Sequence, residues 1–412
     1  MWLTGWKYRK KITIQGSSGA GTNYQVLLKV GESSGATGAD FHLEGLADAF
    51  PSGNNQSGDL RFTSSDGSTL LDFWVEKVTG TSPNRVAHIW VEVLENLGTS
   101  KDIYCYFGGG ASAPNVSNGD NTFLFFDDFD DGTNYSDKWQ IIRGSAGTEV
   151  VQQNGQLILD GNGSTIGGIT VRTVNQLSLP NNVAVEALVY SYDWDEILSI
   201  FLSATNDINT GNQHGFDDGY DFGLWGWSGT KHAVRVWVNG TDTRLQWPSA
   251  QAASNNTFYR FVGIRNGNNL NGYINNNLVL SATDSTYTSG WLRIMLMVWD
   301  GAKWGFDWIF VRKYVSPEPA FLSAGPLEKV EVGFVSIQST IFGKDNKINR
   351  EQNNLVLIQS SVLGKDGWLY KEKERLINIQ SSIFETTKRE RPKQLIKSLK
   401  TESPQTKIEN LP

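Results

Sequence analysis

The sequence predicts an all-β protein built from sandwiches, and three observations carry that prediction. Aromatic residues are dense, with 15 Trp, 13 Tyr and 20 Phe beside 43 Gly and only 19% charged residues, a composition suited to pleated strands and tight turns. Apolar and polar residues alternate in short runs, while helical periodicity is nearly absent. Two acidic, strand-like segments, 125–132 (FFDDFDDG) and 305–314 (GFDWIFVRKY), bracket the middle of the chain and read as the first and last strands of one closed sandwich.

Residues 1–116 carry short strands at 7–14, 24–30, 60–63, 70–78, 85–94 and 103–107. A Ser65-Asp66-Gly67 turn joins two of them, and clusters of Gly, Ser and Asn separate the others, which predicts a small antiparallel sandwich. The stretch 108–121 (GGGASAPNVSNGDN) has almost no apolar content and reads as a linker or long surface loop. Over 117–326 the pattern repeats on a larger scale, with strands at 156–160, 183–190, 198–204, 220–227, 233–238, 257–265, 269–274, 291–298 and 306–314. A two-sheet jelly roll accommodates that number of strands.

Beyond 326 three copies of one motif recur every 21 residues, starting at Ile337, Ile358 and Ile379 (IQSTIF, IQSSVL, IQSSIF). A β-repeat this short cannot bury its apolar face alone. Residues 327–384 are therefore expected to stack on one another, on the sandwich or on other copies, which makes them the candidate for homo-oligomeric assembly. Residues 385–412, rich in Lys, Arg, Glu and Pro, read as a flexible basic tail.

Charge is unevenly placed. Residues 328–412 hold 15 Lys and Arg against 11 Asp and Glu, and residues 1–327 hold 21 against 32, so the net charges are +4 and −11. An acidic body repels phosphate backbones, so no nucleic-acid partner is expected. No apolar run is long enough to span a membrane. The lone Cys105 lies in the apolar run IYCYF and reads as a buried strand residue, which excludes a disulfide framework. Four scattered His offer no imidazole metal site. Strand-like sequence follows Met1 at once with no signal-like stretch, which points to a virion component assembled in the cytoplasm, or to a cell-surface or extracellular protein whose leader has been removed.

The motifs WKYRKKITI (6–14), DLRFTSSDGSTLLDFWVE (59–76), HIWVEV (88–93) and IYCYFGG (103–109) resemble a domain of unknown function found in bacterial and archaeal surface proteins. That domain is typically followed by a concanavalin A-like lectin or glucanase (LamG-like) sandwich that opens on a DDF-type strand and closes on a DWVRVRKY-type strand with SPEP. Asp127-Asp128-Phe129, the segment 307–314 and Ser316-Pro317-Glu318-Pro319 match that arrangement. The resemblance implies a structural Ca²⁺ bound by the closing-strand Asp, here Asp307, with Asp127 or Asp128 of the opening strand as its partner. A hard cation relieves the repulsion between carboxylates on adjoining strands. Capping or pairing with Arg312 or Lys313 is the alternative role for these residues.

Glycan recognition is the leading functional expectation. The segment 214–227 (HGFDDGYDFGLWGW) mixes Asp217, Asp218 and Asp221 with Tyr220, Trp225 and Trp227. Aromatic faces stack on sugar C–H surfaces, and carboxylates accept hydrogen bonds from hydroxyls. By strand parity Tyr220, Phe222 and Leu224 would fill the core, while Trp225 and Trp227 share the other face. Trp247 and Trp194 are secondary candidates. A retaining glucanase of this fold needs two carboxylates about 5 Å apart, and neither Glu186 nor the cluster Asp193, Asp195 and Glu196 has that spacing. The expectation is a non-enzymatic, glycan-binding surface protein, with a structural coat or filament subunit and a glycoside hydrolase or polysaccharide lyase as alternatives.

Overall fold

The computed structural model describes residues 2–130, 134–164, 166–194, 196–205, 214–215, 218–226, 230–250, 252–288 and 290–330. The 21-residue repeats and the basic tail lie outside the described residues. Two sandwiches occupy the described chain, as predicted. The first is made of β1 (Tyr8–Gln15), β2 (Tyr24–Gly31), β3 (Phe41–His42), β4 (Arg61–Thr63), β5 (Leu70–Leu71), β6 (Phe73–Thr79), β7 (Val86–Val93) and β8 (Lys101–Phe107). The second comprises β9 (Phe125–Asp127), β10 (Trp139–Arg143), β11 (Val150–Gln153), β12 (Gln156–Asp160), β13 (Ile169–Thr173), β14 (Val183–Asp193), β15 (Leu198–Ser203), β16 (Gly219–Trp225), β17 (Lys231–Val238), β18 (Thr241–Gln246), β19 (Thr257–Asn266), β20 (Asn269–Ile274), β21 (Asn277–Thr283), β22 (Arg293–Val298) and β23 (Lys303–Lys313). β24 (Ala320–Lys329) follows.

In the first sandwich the sheets run β24-β1-β8-β4-β5 and β3-β2-β7-β6. Ile12, Ile14, Phe62, Ile89, Val91 and Cys105 meet between them. Cys105 is fully buried, as its apolar run predicted. β24 was not anticipated: the chain leaves the second sandwich and returns to pair antiparallel with β1, from Tyr8↔Lys329 to Gln15↔Ala320. The strand that straddles the expected boundary at 326 thus extends the first sheet. The stretch read as a linker or surface loop is pinned to the first sandwich, where Ser117 Oγ accepts from the Val75 amide and Asn115 Oδ1 from the Ser57 amide.

The second sandwich packs a seven-stranded sheet, β10-β13-β22-β15-β16-β17-β18, on β11-β12-β23-β14-β19-β20-β21. Val185, Ala187, Ile200, Phe222, Phe261, Leu296 and Phe306 are among the side chains between them. β9 pairs with β23, Asp127 opposite Ile309, so the two bracketing segments are neighbours as predicted. β12 pairs with residues 303–306 of β23 and β9 with residues 309–311. Both strands therefore lie along one edge of β23, end to end, with Asp307 in the gap at a bulge where Leu188↔Trp308 gives way to Val189↔Phe306.

A dry aromatic cluster joins the sandwiches. Trp74 and Trp90 of the first meet Phe123, Phe126, Trp308 and Phe310, with the Phe123 and Phe310 rings stacked 4.1 Å apart. Beside it runs a line of alternating charges. Arg260 bridges Glu76 of the first sandwich and Glu186 of the second, while Arg312 holds Glu186 at 2.6 Å and also pairs with Glu318. Trp90 Nε1 donates to Glu76 at 2.9 Å. Burial alone would raise the Glu186 carboxyl, yet the guanidiniums of Arg312 and Arg260 outweigh it and hold it below its ordinary value.

A carboxyl lowered in the fold stabilises it above the unfolded value of 4.5, and that contribution is lost as pH falls through the lower folded value. Thermal melts of the wild-type chain should therefore lose this stability as pH falls from 4.5 through the lower folded value. Glu186→Gln should lower stability at neutral pH by about 3 kcal/mol, because two buried guanidiniums lose a shared partner, and should flatten the acid slope.

Candidate functional site

β16 alternates as its sequence predicts over Tyr220, Phe222 and Leu224, which face the core. The intervening positions do not face solvent, because the outer face of the central strands β15, β16, β17 and β22 is itself buried. Phe201, Trp237, Met295 and Met297 form a second apolar layer there. His214 lies over it, 5.0 Å from the Trp237 ring and 4.6 Å from that of Trp299, and burial followed by the charge of Arg235 pushes its pKa down to about 3. Asp221, fully buried, pairs with Arg235. Burial raises its carboxyl and Arg235 opposes the rise.

The predicted glycan-binding residues are thus divided. Tyr220 is fully buried and its hydroxyl donates to Asp284. Asp221 is sealed in its ion pair, so neither residue reaches a surface ligand. Trp225 was expected on the outer face, but its φ of +51° rotates it out of strand alternation and into the core. Its ring stacks on Trp304 at 4.9 Å and meets Tyr259 at 4.8 Å. Asp218 sits at the opposite end of β16, where its carboxylate accepts from the Asn239 amide at 2.6 Å. Asp217 and Trp227 lie outside the described residues.

Trp247 is 37% exposed, and the Arg244 guanidinium lies 3.7 Å from its ring centroid. Bridges Gly226↔Lys231 and Lys231↔Ser249 draw its loop against the Trp225 end of β16. Trp194 is partly buried against the same core, and its amide donates to Asn255 Oδ1. The structure therefore brings Trp225 and Trp247 to one end of the sandwich, with Trp225 as foundation and Trp247 as accessible surface. The pairing of exposed Trp247 with Arg244 had a sequence signal, since the two are three residues apart in RLQWP.

Glu186 is locked between two arginines and Asp221 against one, so neither is a free carboxylate. Among the described residues no helix is long and apolar enough to cross a membrane.

The acidic residues expected around a cation are also redistributed. Asp127 is buried and turned to the core side, where it accepts from Trp139 Nε1 at 2.7 Å and from the Phe129 amide at 3.0 Å. Asp128 accepts from the Asp130 amide at 3.4 Å. Asp307, in the gap between β9 and β12, accepts from Gln156 Nε2 at 3.3 Å. Burial raises the Asp307 carboxyl, the Gln156 amide opposes that, and the negative charge of Asp130 adds to it. The negative charge that bears on Asp307 is that of Asp130, just past the end of β9. Among the described residues no set of three or more His, Cys, Asp and Glu is gathered for a metal. A Ca²⁺ here would rely on Asp307, Asp130 and main-chain oxygens, which suits a hard cation.

Residues 56–142 match the family described as Domain of unknown function (DUF2341). The matched segment includes Trp74, Glu76, Trp90, Phe123 and Phe126, and so spans the junction between the sandwiches. No curated protein sequence matches the chain. Similar solved structures include the carbohydrate-binding module CBM66 from Bacillus subtilis, 13% identical over 43% of this chain and 96% of that one, with a TM-score of 0.33. The β-glucanase of Bacillus licheniformis is 15% identical over 46% of this chain and 98% of its own, at a TM-score of 0.34. The VIP36 exoplasmic/lumenal domain in its Ca²⁺/Man3GlcNAc-bound form is 9% identical over 45% and 94%, at 0.35. Likeness at this depth leaves function to be argued from the residues themselves.

An Asp whose folded value is raised destabilises the fold as pH climbs past its ordinary 3.8. In chelator, Asp307→Asn should therefore melt at or above the wild-type temperature at neutral pH. Calcium at about 100 times its dissociation constant should add about 2.7 kcal/mol to the wild type and nothing to the variant. Equal calcium responses in differential scanning calorimetry would remove Asp307 from any cation site.

Proposed function

We propose that the second sandwich is a non-catalytic glycan-binding module of a surface protein, extracellular or on a virion, mounted rigidly on the first sandwich and stapled by Ca²⁺ at Asp307. The observation that carries this reading is the aromatic end of the sandwich. Trp247 presents a ring there, held under the Arg244 guanidinium, on the loop that bridges to the end of β16 where Trp225 stacks on Trp304 and Tyr259 packs at a tilt. A ring fixed before binding loses little freedom on meeting a sugar, so its stacking energy is largely retained.

Binding of the full chain to a glycan array, with and without chelator, tests the proposal. Trp247→Ala should weaken binding about tenfold, in line with one lost stacking contact. Its melting temperature should stay nearly unchanged, because the ring is at the surface. Unaltered binding by the variant would sink the role of this end.

The three 21-residue copies favour a second reading, a coat or filament subunit assembled through residues 327–384. Light scattering on the full chain and on a chain ending at Val330 separates the two. Under the assembly reading only the longer chain forms higher-order species.

A further inference from the structure

We propose that Tyr190, Tyr192 and Phe258 form a second saccharide platform, on the outer face of the β14–β19 sheet, that takes an uncharged polysaccharide chain. This deepens the glycan-binding reading above and rests on it, but it uses a different face and different residues.

Side chains at even positions of β14 point away from the sandwich core. Nearer the first sandwich these are Glu186 and Leu188, covered by the junction. Tyr190 and Tyr192 continue the same row beyond that cover, half-buried, and Tyr190 lies directly opposite Phe258 of β19, which is 46% exposed. The rings meet edge to face, with centroids 4.7 Å apart both for Tyr190 and Tyr192 and for Tyr190 and Phe258. Such a row fixes its own rotamers before any ligand arrives.

The polar ends are fixed as well. Tyr192 Oη donates to Gln156 Oε1 at 2.9 Å, and Tyr190 Oη donates to Asn256 Oδ1 at 3.3 Å. Gln156 in turn donates to Asp307, so its amide is held from both sides. On the other flank of Tyr190 stands Gly305 of β23. A Cβ there would come within 2.5 Å of Gln156 Oε1 and 3.1 Å of the Tyr192 ring, so glycine keeps the floor of the platform open. Flat rings bordered by amides present the two things a pyranose needs, a face for its C–H groups and partners for its hydroxyls.

Charge selects the occupant. Residues 1–327 carry 32 Asp and Glu against 21 Lys and Arg, a body that repels both an acidic polysaccharide and a second copy of itself. The lysine beside the platform, Lys303, is paired with Asp160 at 2.7 Å and so offers an anion little. An uncharged chain of pyranoses meets none of these penalties.

Affinity electrophoresis of the full chain through gels containing a soluble β-1,3-glucan, a mannan or, as acidic control, alginate tests the proposal. At least one neutral polysaccharide should retard the wild type and alginate should not. The double variant Tyr190→Ala with Phe258→Ala should bind at least tenfold more weakly, and Tyr192→Phe, which keeps the ring but drops its bond to Gln156, several-fold more weakly. Trp247→Ala should leave the part of the retardation due to the platform in place. Retardation of the double variant equal to wild type overturns the platform, while loss through Trp247→Ala alone leaves the general glycan-binding reading intact. Absence of retardation in every neutral gel overturns both. Retardation by alginate alone overturns the choice of an uncharged chain. A wild type that self-associates in light scattering, and becomes monomeric on Phe258→Ala, makes a second copy the occupant instead.

Discussion

The junction between the sandwiches rests on a line of charges packed beside six aromatic side chains, with Glu76, Glu186 and Arg312 buried and Arg260 and Glu318 partly exposed at its turns and end. Each carboxylate and guanidinium would be costly to bury alone, and the alternating order supplies each with a neighbour of opposite sign. The aromatic cluster excludes water and so strengthens every pair in the line. Because Glu76 belongs to one sandwich and Arg260 to the other, the network specifies their relative placement. The returning strand β24 adds a backbone ladder to the same union.

That union determines which surfaces remain for ligands. The first sandwich occupies the part of the β14 face nearest Glu186 and leaves the Tyr190 end partly exposed. In the opposite sheet the central strands are buried on both faces, with Phe201, Trp237, Met295 and Met297 forming an apolar layer on the outer one. The proposed recognition surfaces therefore lie away from the sheet centre, where sequence alone would seek them, at the Trp247 loop and the outer tyrosine row. The bulge at Asp307 lies next to that row and is tied to it through Gln156.

Much of this was legible in advance. The alternating runs located the majority of strands to within a few residues, and β12 and β20 match their expected spans. The pairing of the bracketing segments followed from their resemblance as opening and closing strands, and β9 does pair with β23. Several strands escaped notice for separate reasons. β18 and β21 are edge strands with mostly polar or exposed residues, so they lack the alternating signal. β24 contains Gly325 and Pro326, which break the expected pattern of a strand. The site was less legible than the fold. Parity placed Tyr220 in the core correctly, but it misplaced Trp225, because a positive φ at one residue cancels alternation.

By itself, the sequence determined the all-β class, the two sandwiches, the buried Cys105 and the juxtaposition of the terminal strands, since each follows from local alternation or from short motifs. Only the tertiary structure decided that Asp221 is interior, that Asp127 turns to Trp139, and that Tyr190, Tyr192 and Phe258 meet. The reason is physical: alternation says which side of its own strand a residue occupies. It carries no information on what covers that side, and coverage here comes from segments far away in the chain. A carboxylate among aromatics reads the same in sequence whether it faces a sugar or an arginine; the packing of the second layer makes the difference.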